Sequence, residues 1–211
     1  MNIRMLLPAL ALLFFSTTFA APVLDQSYEP ANDPTLVSLF GQTSEGENAL
    51  YQSFTAGKRG TLSSIALRFG FLGEPTSGVT LSVFAGGNIA DPAVASTTVQ
   101  PGPHVVGEFF MFDLSTDAFL VDAGDFLSFV ISTPATLGSP MYFLQGEAEG
   151  TYAGGTSGFI SNGLLQLNAQ SDYYFKTFVS SASVPEPGTL ALFGMGIAGL
   201  SVARRRQRLP L

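Results

Sequence analysis

Apolar residues recur at every second position along the middle of the chain. In the segment 65–71 the four large apolar side chains, Ile65, Leu67, Phe69 and Phe71, are at odd positions, and Arg68 is at an even one. Successive side chains of a β-strand point to opposite faces of the sheet, so this spacing predicts a strand with one buried face. The same spacing recurs in 79–83 and 127–131, and no segment between 21 and 183 shows convincing helical periodicity. The alternation therefore predicts an all-β fold.

Ten short strands are predicted, separated by turn-forming Gly, Pro, Asp and Asn residues. They lie at residues 36–40, 51–54, 65–71, 79–83, 107–114, 119–121, 127–131, 141–144, 164–167 and 173–179. The chain has no cysteine but 19 phenylalanines, most of them at strand positions, and these can fill a core without disulfides. We expect residues 21–183 to form an antiparallel, jelly-roll-like β-sandwich.

The first twenty residues have the pattern of an export signal. Arg4 supplies a positive start, residues 6–15 are apolar, and small residues surround a cleavage point between Ala20 and Ala21. The apolar stretch is too short to span a bilayer alone. We therefore predict a signal peptide at 1–20 that directs the chain to the export translocon.

The last 28 residues have a second three-part pattern. Its parts are Pro185-Glu186-Pro187, an uncharged stretch at 188–203, and the cluster Arg204, Arg205, Arg206 and Arg208. A sixteen-residue helix is about 24 Å long, slightly short of a bilayer core of about 30 Å, and flanking arginines can complete the span. Positive residues after a span stay cytoplasmic, which places the preceding domain outside. The pattern predicts a C-terminal transmembrane helix.

This order of features resembles the PEP-CTERM sorting signal of Gram-negative bacteria. The resemblance implies that an exosortase, a transpeptidase-like membrane protease, recognises and processes the chain near Pro185, Glu186 and Pro187. It implies transient anchoring in the inner membrane, then release to the cell surface or medium. The family is associated with extracellular polysaccharide and biofilm matrix. The expected organisation is a signal peptide at 1–20, an exported domain at 21–183 and a sorting signal at 184–211.

The exported domain also resembles the choice-of-anchor domains. The resemblance rests on four segments: Gln52-Ser53-Phe54-Thr55-Ala56, Gly60-Thr61-Leu62-Ser63-Ser64-Ile65, Phe119-Leu120-Val121-Asp122-Ala123-Gly124-Asp125, and Asp172-Tyr173-Tyr174-Phe175-Lys176-Thr177-Phe178-Val179. It implies a fold like that of jelly-roll carbohydrate-binding modules. Fold does not fix function, so the resemblance names no ligand.

The exported domain is strongly acidic. Residues 21–183 contain fifteen acidic and four basic side chains, a net charge of −11. This charge argues against nucleic acid as a partner and against an anionic polysaccharide held by charge attraction. Divalent cations or neutral sugars fit better, and a simple gain in solubility is the alternative explanation.

The sequence offers little for catalysis. His104 is the only histidine and there is no Gly-x-Ser-x-Gly element, so a hydrolytic triad is not expected. Glu147 and Glu149, two residues apart, could act as the carboxylate pair of a glycosidase, although like charges between glycines are more typical of a solvated turn. We predict a non-enzymatic protein, with a secreted glycan-active hydrolase as the alternative.

Metal binding is restricted to oxygen ligands, because Cys-based and multi-His sites are impossible. No cofactor is predicted. Structural calcium stays open, with Asp113, Asp117, Asp122 and Asp125 as candidates because they border short loops. The alternative is that these aspartates only form turns.

Four residues are candidates for contact with extracellular polysaccharide. Without tryptophan, the aromatic platforms are tyrosines: Tyr142, Tyr152 and Tyr173, with Asn162 as an amide partner near the loop after Tyr152. Packing at strand ends is the alternative role for each tyrosine. The leading hypothesis is an exported surface or matrix component that binds carbohydrate, and a purely structural scaffold is a further alternative.

Overall fold

The computed structural model describes residues 21–30, 34–44, 46–73, 77–102, 107–137 and 141–181. These residues form fourteen strands and a single turn of 3-10 helix at Ser115–Asp117. The strands are β1 (Val23–Tyr28), β2 (Leu36–Thr43), β3 (Gly46–Thr55), β4 (Gly60–Leu72), β5 (Val79–Ala85), β6 (Ala95–Val99), β7 (Phe109–Asp113), β8 (Leu120–Val121), β9 (Phe126–Ser132), β10 (Met141–Glu147), β11 (Ser157–Ser161), β12 (Leu164–Asn168), β13 (Asp172–Tyr173) and β14 (Phe175–Ser180).

Antiparallel pairing joins these strands in the order β1-β14-β4-β10-β2-β3-β9-β5-β6. β7 and β8 pair with β4, β13 pairs with β10, and β11 pairs with both β3 and β12. The predicted all-β sandwich is confirmed. Among the described residues, no helix is long and apolar enough to cross a membrane.

β2 takes part in both layers of the sandwich. Its first half pairs with β10, with Leu36 opposite Gly146, and its last residues pair with β3, beginning with Gly41 opposite Asn48. Gly41 marks the change of partner and has a φ of +146°, a backbone conformation that L side chains rarely adopt. A β-carbon at this position would lie 2.6 Å from the carbonyl oxygen of Ala135. Glycine therefore permits the crossing.

The core between the layers is largely aromatic. The Phe175 ring of β14 lies 5.9 Å from the rings of Phe54 and Phe129, which belong to β3 and β9. Further along, Phe69 is fully buried and its ring lies 5.9 Å from that of Tyr142 and 6.2 Å from that of Phe112. Burying each such ring contributes about 1.5–3 kcal/mol, so phenylalanines alone can hold the layers together without cysteine.

The alternation in the sequence is reproduced in the structure. Ile65, Leu67 and Phe69 of β4 are fully buried, whereas Arg68 points to the other face and donates from Nε to the carbonyl of Gly107 over 2.6 Å. All ten predicted strands are present. The predicted segment 173–179 is interrupted at Tyr174, which separates β13 from β14.

Candidate functional site

Tyr142 belongs to the core and not to the surface. Its ring stacks on Phe69 and lies 5.9 Å from the Phe40 ring, and its hydroxyl donates to the carbonyl of Ser77 over 2.7 Å. Burial raises the pKa of this hydroxyl. Its candidacy as a glycan platform is therefore corrected, because a carbonyl inside the protein satisfies the hydroxyl and no ring face is exposed.

Tyr152 is half-buried and holds a loop in place. Its ring packs edge-on against Phe175 at 5.1 Å, and its backbone N–H donates to the Asp172 carboxylate over 3.1 Å. Asn162 lies elsewhere, exposed in the turn between β11 and β12 with a φ of +53°. Tyr152 and Asn162 therefore lie in different parts of the fold, Tyr152 against β14 and Asn162 in the β11–β12 turn, and neither lines the cavity described next.

Tyr173 does line a cleft. Where the first half of β2 diverges from β3 to join β10, a cavity of about 340 Å³ opens between the layers. Its walls come from β2, β3, the β11–β12 hairpin and the chain around β13. The lining residues are Leu36, Ser38, Leu39, Asn48, Leu50, Ser157, Gly158, Phe159, Asn168, Ser171 and Tyr173.

Strand register explains how these residues meet. Leu50 of β3 lies opposite Phe159 of β11, and Ser157 of β11 lies opposite Asn168 of β12. Directly opposite residues of an antiparallel pair share a face of the sheet. Ser157 and Phe159 are two residues apart on β11, so they also share a face, and all four side chains point to the same side. The inner face of this layer therefore forms one wall of the cleft, and the first half of β2 forms part of the opposite wall.

Hydrogen bonds fix the polar groups of the cleft. The hydroxyls of Ser157 and Ser171 lie 2.7 Å apart, and the Asn48 side-chain amide donates to the carbonyl of Leu39 over 3.0 Å. Burial raises the pKa of the Tyr173 hydroxyl, while its hydrogen bond with Ser38 acts in the opposite direction. The lining contains no charged side chain.

A buried carboxylate lies directly behind the cleft. Asp172 stands between the lining residues Ser171 and Tyr173 and is only 3% exposed. One of its oxygens accepts a hydrogen bond from the Gln52 side-chain amide over 2.9 Å, and the other accepts from the Tyr152 backbone. Burial raises the pKa of this carboxyl, the two hydrogen bonds lower it, and the charge of Glu147 raises it further. In the sequence, Asp172 was recognisable only as the residue immediately before the last predicted strand of the domain.

Glu147 and Glu149 do not form an open pair. Glu147 ends β10, lies opposite Asp172 in the β10–β13 register, and accepts a hydrogen bond from the Tyr28 hydroxyl over 3.1 Å. Glu149 is exposed in the following turn. The carboxylate opposite Glu147 is thus Asp172, which is 25 positions away in the sequence and forms no local pattern with it.

Two of the calcium candidates cap the backbone. The Asp113 carboxylate accepts the N–H of Ser115 over 2.9 Å, and hydrogen bonds from the Ser115 side chain and backbone lower the pKa of this carboxyl. The Asp117 carboxylate accepts the N–H of Ser96 in β6 over 2.8 Å. Both contacts are typical of turn and edge aspartates.

The other two candidates also make contacts within the protein. Asp125 accepts the backbone N–H of Asp122 over 2.8 Å, and the Asp122 carboxylate lies 3.1 Å from the Arg59 guanidinium in an exposed ion pair. In the described part of the chain, no three acidic or histidine side chains come together as a metal-binding group.

The predicted processing residues are outside the described ranges. These are Ala20, Pro185, Glu186, Pro187, Arg204, Arg205 and Arg206, and His104 is also outside them. Ala21 is described and exposed, just before β1.

Comparison with known proteins identifies the end of the chain. Residues 183–207 match the PEP-CTERM protein-sorting motif, and the match includes Pro185-Glu186-Pro187 and Arg204 to Arg206. No curated protein matches the chain. The resemblance of the exported domain to choice-of-anchor domains stays a prediction. The chain is therefore an exported protein carrying the signal for exosortase processing.

Proposed function

We propose that residues 21–183 form a non-enzymatic binding module of the cell surface or extracellular matrix, and that its cleft binds an uncharged carbohydrate. The observation that carries the proposal is the uncharged cleft in a domain of net charge −11. The domain contains fifteen acidic side chains, and none of those in the described part of the chain lines the cleft. The chemistry of the lining thus differs from that of the rest of the domain.

The lining has the composition that neutral sugars require. Ser38, Ser157 and Ser171 offer hydroxyls, Asn48 and Asn168 offer amides, and these groups can exchange hydrogen bonds with sugar hydroxyls without a charge. The Phe159 ring is 39% exposed and supplies an apolar surface for the C–H face of a sugar. A cleft of about 340 Å³ matches the lower end of small-molecule sites.

The carboxylates support a non-enzymatic role. Asp172 lies between the lining residues Ser171 and Tyr173 in the sequence. Its two carboxylate oxygens accept hydrogen bonds from Gln52 and Tyr152. A glycosidase needs two carboxyl groups that reach the scissile bond from opposite sides. A buried and hydrogen-bonded Asp172 beside Glu147 does not offer that arrangement.

The test is binding of neutral oligosaccharides to the full chain in detergent, measured by calorimetry across a glycan panel. We expect saturable binding that the Phe159→Ala variant weakens at least tenfold. Phe126→Ala is the matched control, because this ring is 46% exposed on β9 and does not line the cleft. Equal loss in both variants, or no binding by the wild type, would overturn the proposal. Release of shorter sugars during the assay would favour the hydrolase instead.

A further inference from the structure

β12 is an edge strand with an unusual surface. It pairs with β11 on one side, and no described strand pairs with its other side. Leu164 and Leu167 of this strand are 69% and 60% exposed. An edge strand leaves a row of backbone N–H and C=O groups open to another strand, and apolar side chains favour such pairing.

Two other edge strands of the domain, β1 and β6, are protected. At β6, the backbone N–H of Ser96 that points away from β5 donates a hydrogen bond to the Asp117 carboxylate over 2.8 Å. At β1, the register shifts between Leu24 and Gln26, and the Lys58 ammonium donates to the carbonyl of Leu24. Bulges and charged groups of this kind are how proteins prevent pairing between edges. β12 carries neither device.

Charge also singles out this hairpin. The twenty-two residues between Glu149 and Asp172 contain no charged side chain, although the exported domain has a net charge of −11. Two copies of so acidic a domain repel each other over most of their surface. The β11–β12 hairpin is where a second copy can approach without bringing like charges together.

We propose that β12 pairs antiparallel with β12 of a second copy, so that the two domains form a symmetric dimer. The symmetric register places Gln166 opposite Gln166 of the second copy. Leu165 then lies opposite Leu167 of the second copy, and the two-fold axis creates this apolar pair twice. Both strands are equally uncharged, so the contact is self-complementary.

The dimer has a consequence for the proposed cleft. A two-fold axis through an antiparallel strand pair is perpendicular to the sheet, so the same face of both sheets points in the same direction. Since Phe159 and Asn168 lie on the cleft face, two clefts would open side by side. If the cleft binds a polymer, as proposed above, the dimer would hold it at two points.

The test is a cysteine cross-link at the symmetry axis. The chain has no cysteine, so Gln166→Cys introduces a single thiol per copy. Directly opposite residues have Cα atoms about 4.5–5.5 Å apart, within disulfide range. We expect the full-length Gln166→Cys variant in detergent to form a disulfide-linked dimer on mild oxidation. Thr98→Cys, exposed on the protected β6 edge, is the matched control and should stay monomeric.

A second substitution separates edge pairing from other association. Leu167→Lys in the Gln166→Cys background should lower the yield of cross-linked dimer at least tenfold, because symmetry places two ammonium groups in the contact. Leu120→Lys, at a side chain 68% exposed on β8, should leave the yield unchanged. Equal cross-linking at positions 166 and 98, or an equal effect of the two lysines, would overturn the proposal. Sedimentation of Leu167→Lys against Leu120→Lys in the otherwise unchanged chain checks the same point without a thiol. Loss of dimer with retained glycan binding would leave the proposed function standing.

Discussion

The two ends of β10 lie in contrasting surroundings. At Tyr142 the layers close over stacked and tilted rings, including Phe69 and Phe112. At Gly146, four residues further along, β2 has turned away from β3 and the space between the layers holds an uncharged polar cleft backed by Asp172. The same pair of sheets is therefore sealed by aromatic packing at the Tyr142 end and open at the Gly146 end. If the cleft binds a ligand, as proposed above, stability and recognition depend on different ends of one strand.

The largest expected effect is at the closed end. Phe69→Ala removes a fully buried ring that contacts four other aromatic rings, and we expect a loss of about 3–5 kcal/mol in the free energy of unfolding. Chemical denaturation of the full chain measures it. Phe159→Ala at the open end should cost under about 1 kcal/mol, since its ring is already part exposed. Similar losses for the two variants would refute the division between the ends.

The junction between the ends depends on Gly41. Gly41→Ala forces a side chain into a positive-φ conformation and against the carbonyl of Ala135, and we expect a loss of about 2–3 kcal/mol. Gly86→Ala is the control, because its φ is +80° but no atom lies within 4 Å of the added carbon. The difference between the two melting temperatures measures the close approach together with the less accessible φ of Gly41. If both variants melt alike, the crossing does not depend on that contact.

Asp172 should give the open end its own pH dependence. Burial raises the pKa of this carboxyl above its ordinary value of 3.8, so the folded state holds the proton more tightly than the unfolded chain does. The free energy of unfolding of the wild type should therefore rise relative to Asp172→Asn as the pH falls through the raised pKa towards 3.8. Each unit of separation between the two pKa values contributes about 1.4 kcal/mol. Denaturation of both proteins over a pH series makes the measurement.

The reference variant is Glu149→Gln, whose side chain is exposed close to the same loop. Because this side chain is exposed, the substitution should change the free energy of unfolding by less than about 0.5 kcal/mol. A constant difference between the wild type and Asp172→Asn across the series would show that burial of Asp172 has no thermodynamic effect.

The smallest effect concerns the mouth of the cleft. Asn48→Ala removes the hydrogen bond to the Leu39 carbonyl, which should cost about 0.5–1.5 kcal/mol. The same change removes an amide from the cleft lining, so glycan affinity should fall by more than stability does. Calorimetry and denaturation on one preparation compare the two quantities. An unchanged affinity would exclude Asn48 from the site.

Much of the fold was predictable because it depends on local alternation. The regular spacing in β4, β5 and β9 identified strands in which the alternating apolar residues are buried on one face: Ile65, Leu67 and Phe69, Val79, Leu81 and Val83, and Leu127, Phe129 and Ile131. β6 and β11 were missed because Ala95–Val99 and Ser157–Ser161 are rich in Ser, Thr and Gly and show little alternation. β1 was missed because most of its side chains are exposed or half-buried on an edge strand.

The site was less predictable because it depends on long-range register. Tyr173 was identified by residue type and does line the cleft, but Tyr142 was not distinguishable from it, since only the fold shows that the Ser77 carbonyl satisfies the Tyr142 hydroxyl. Phe159 and Asn48 meet because β11 pairs with β3 about 110 residues earlier in the chain. No local sequence pattern predicts a strand pairing between segments so far apart in the chain.

The pairing of β14 with both β1 and β4 has a consequence for the timing of folding. The last of the described strands is an interior strand, and β1 has no other partner among the described strands. During synthesis, more than 140 residues separate β1 from the strand with which it pairs. Such distant contacts make folding slow. The topology therefore leaves β1 without its strand partner until β14 is available.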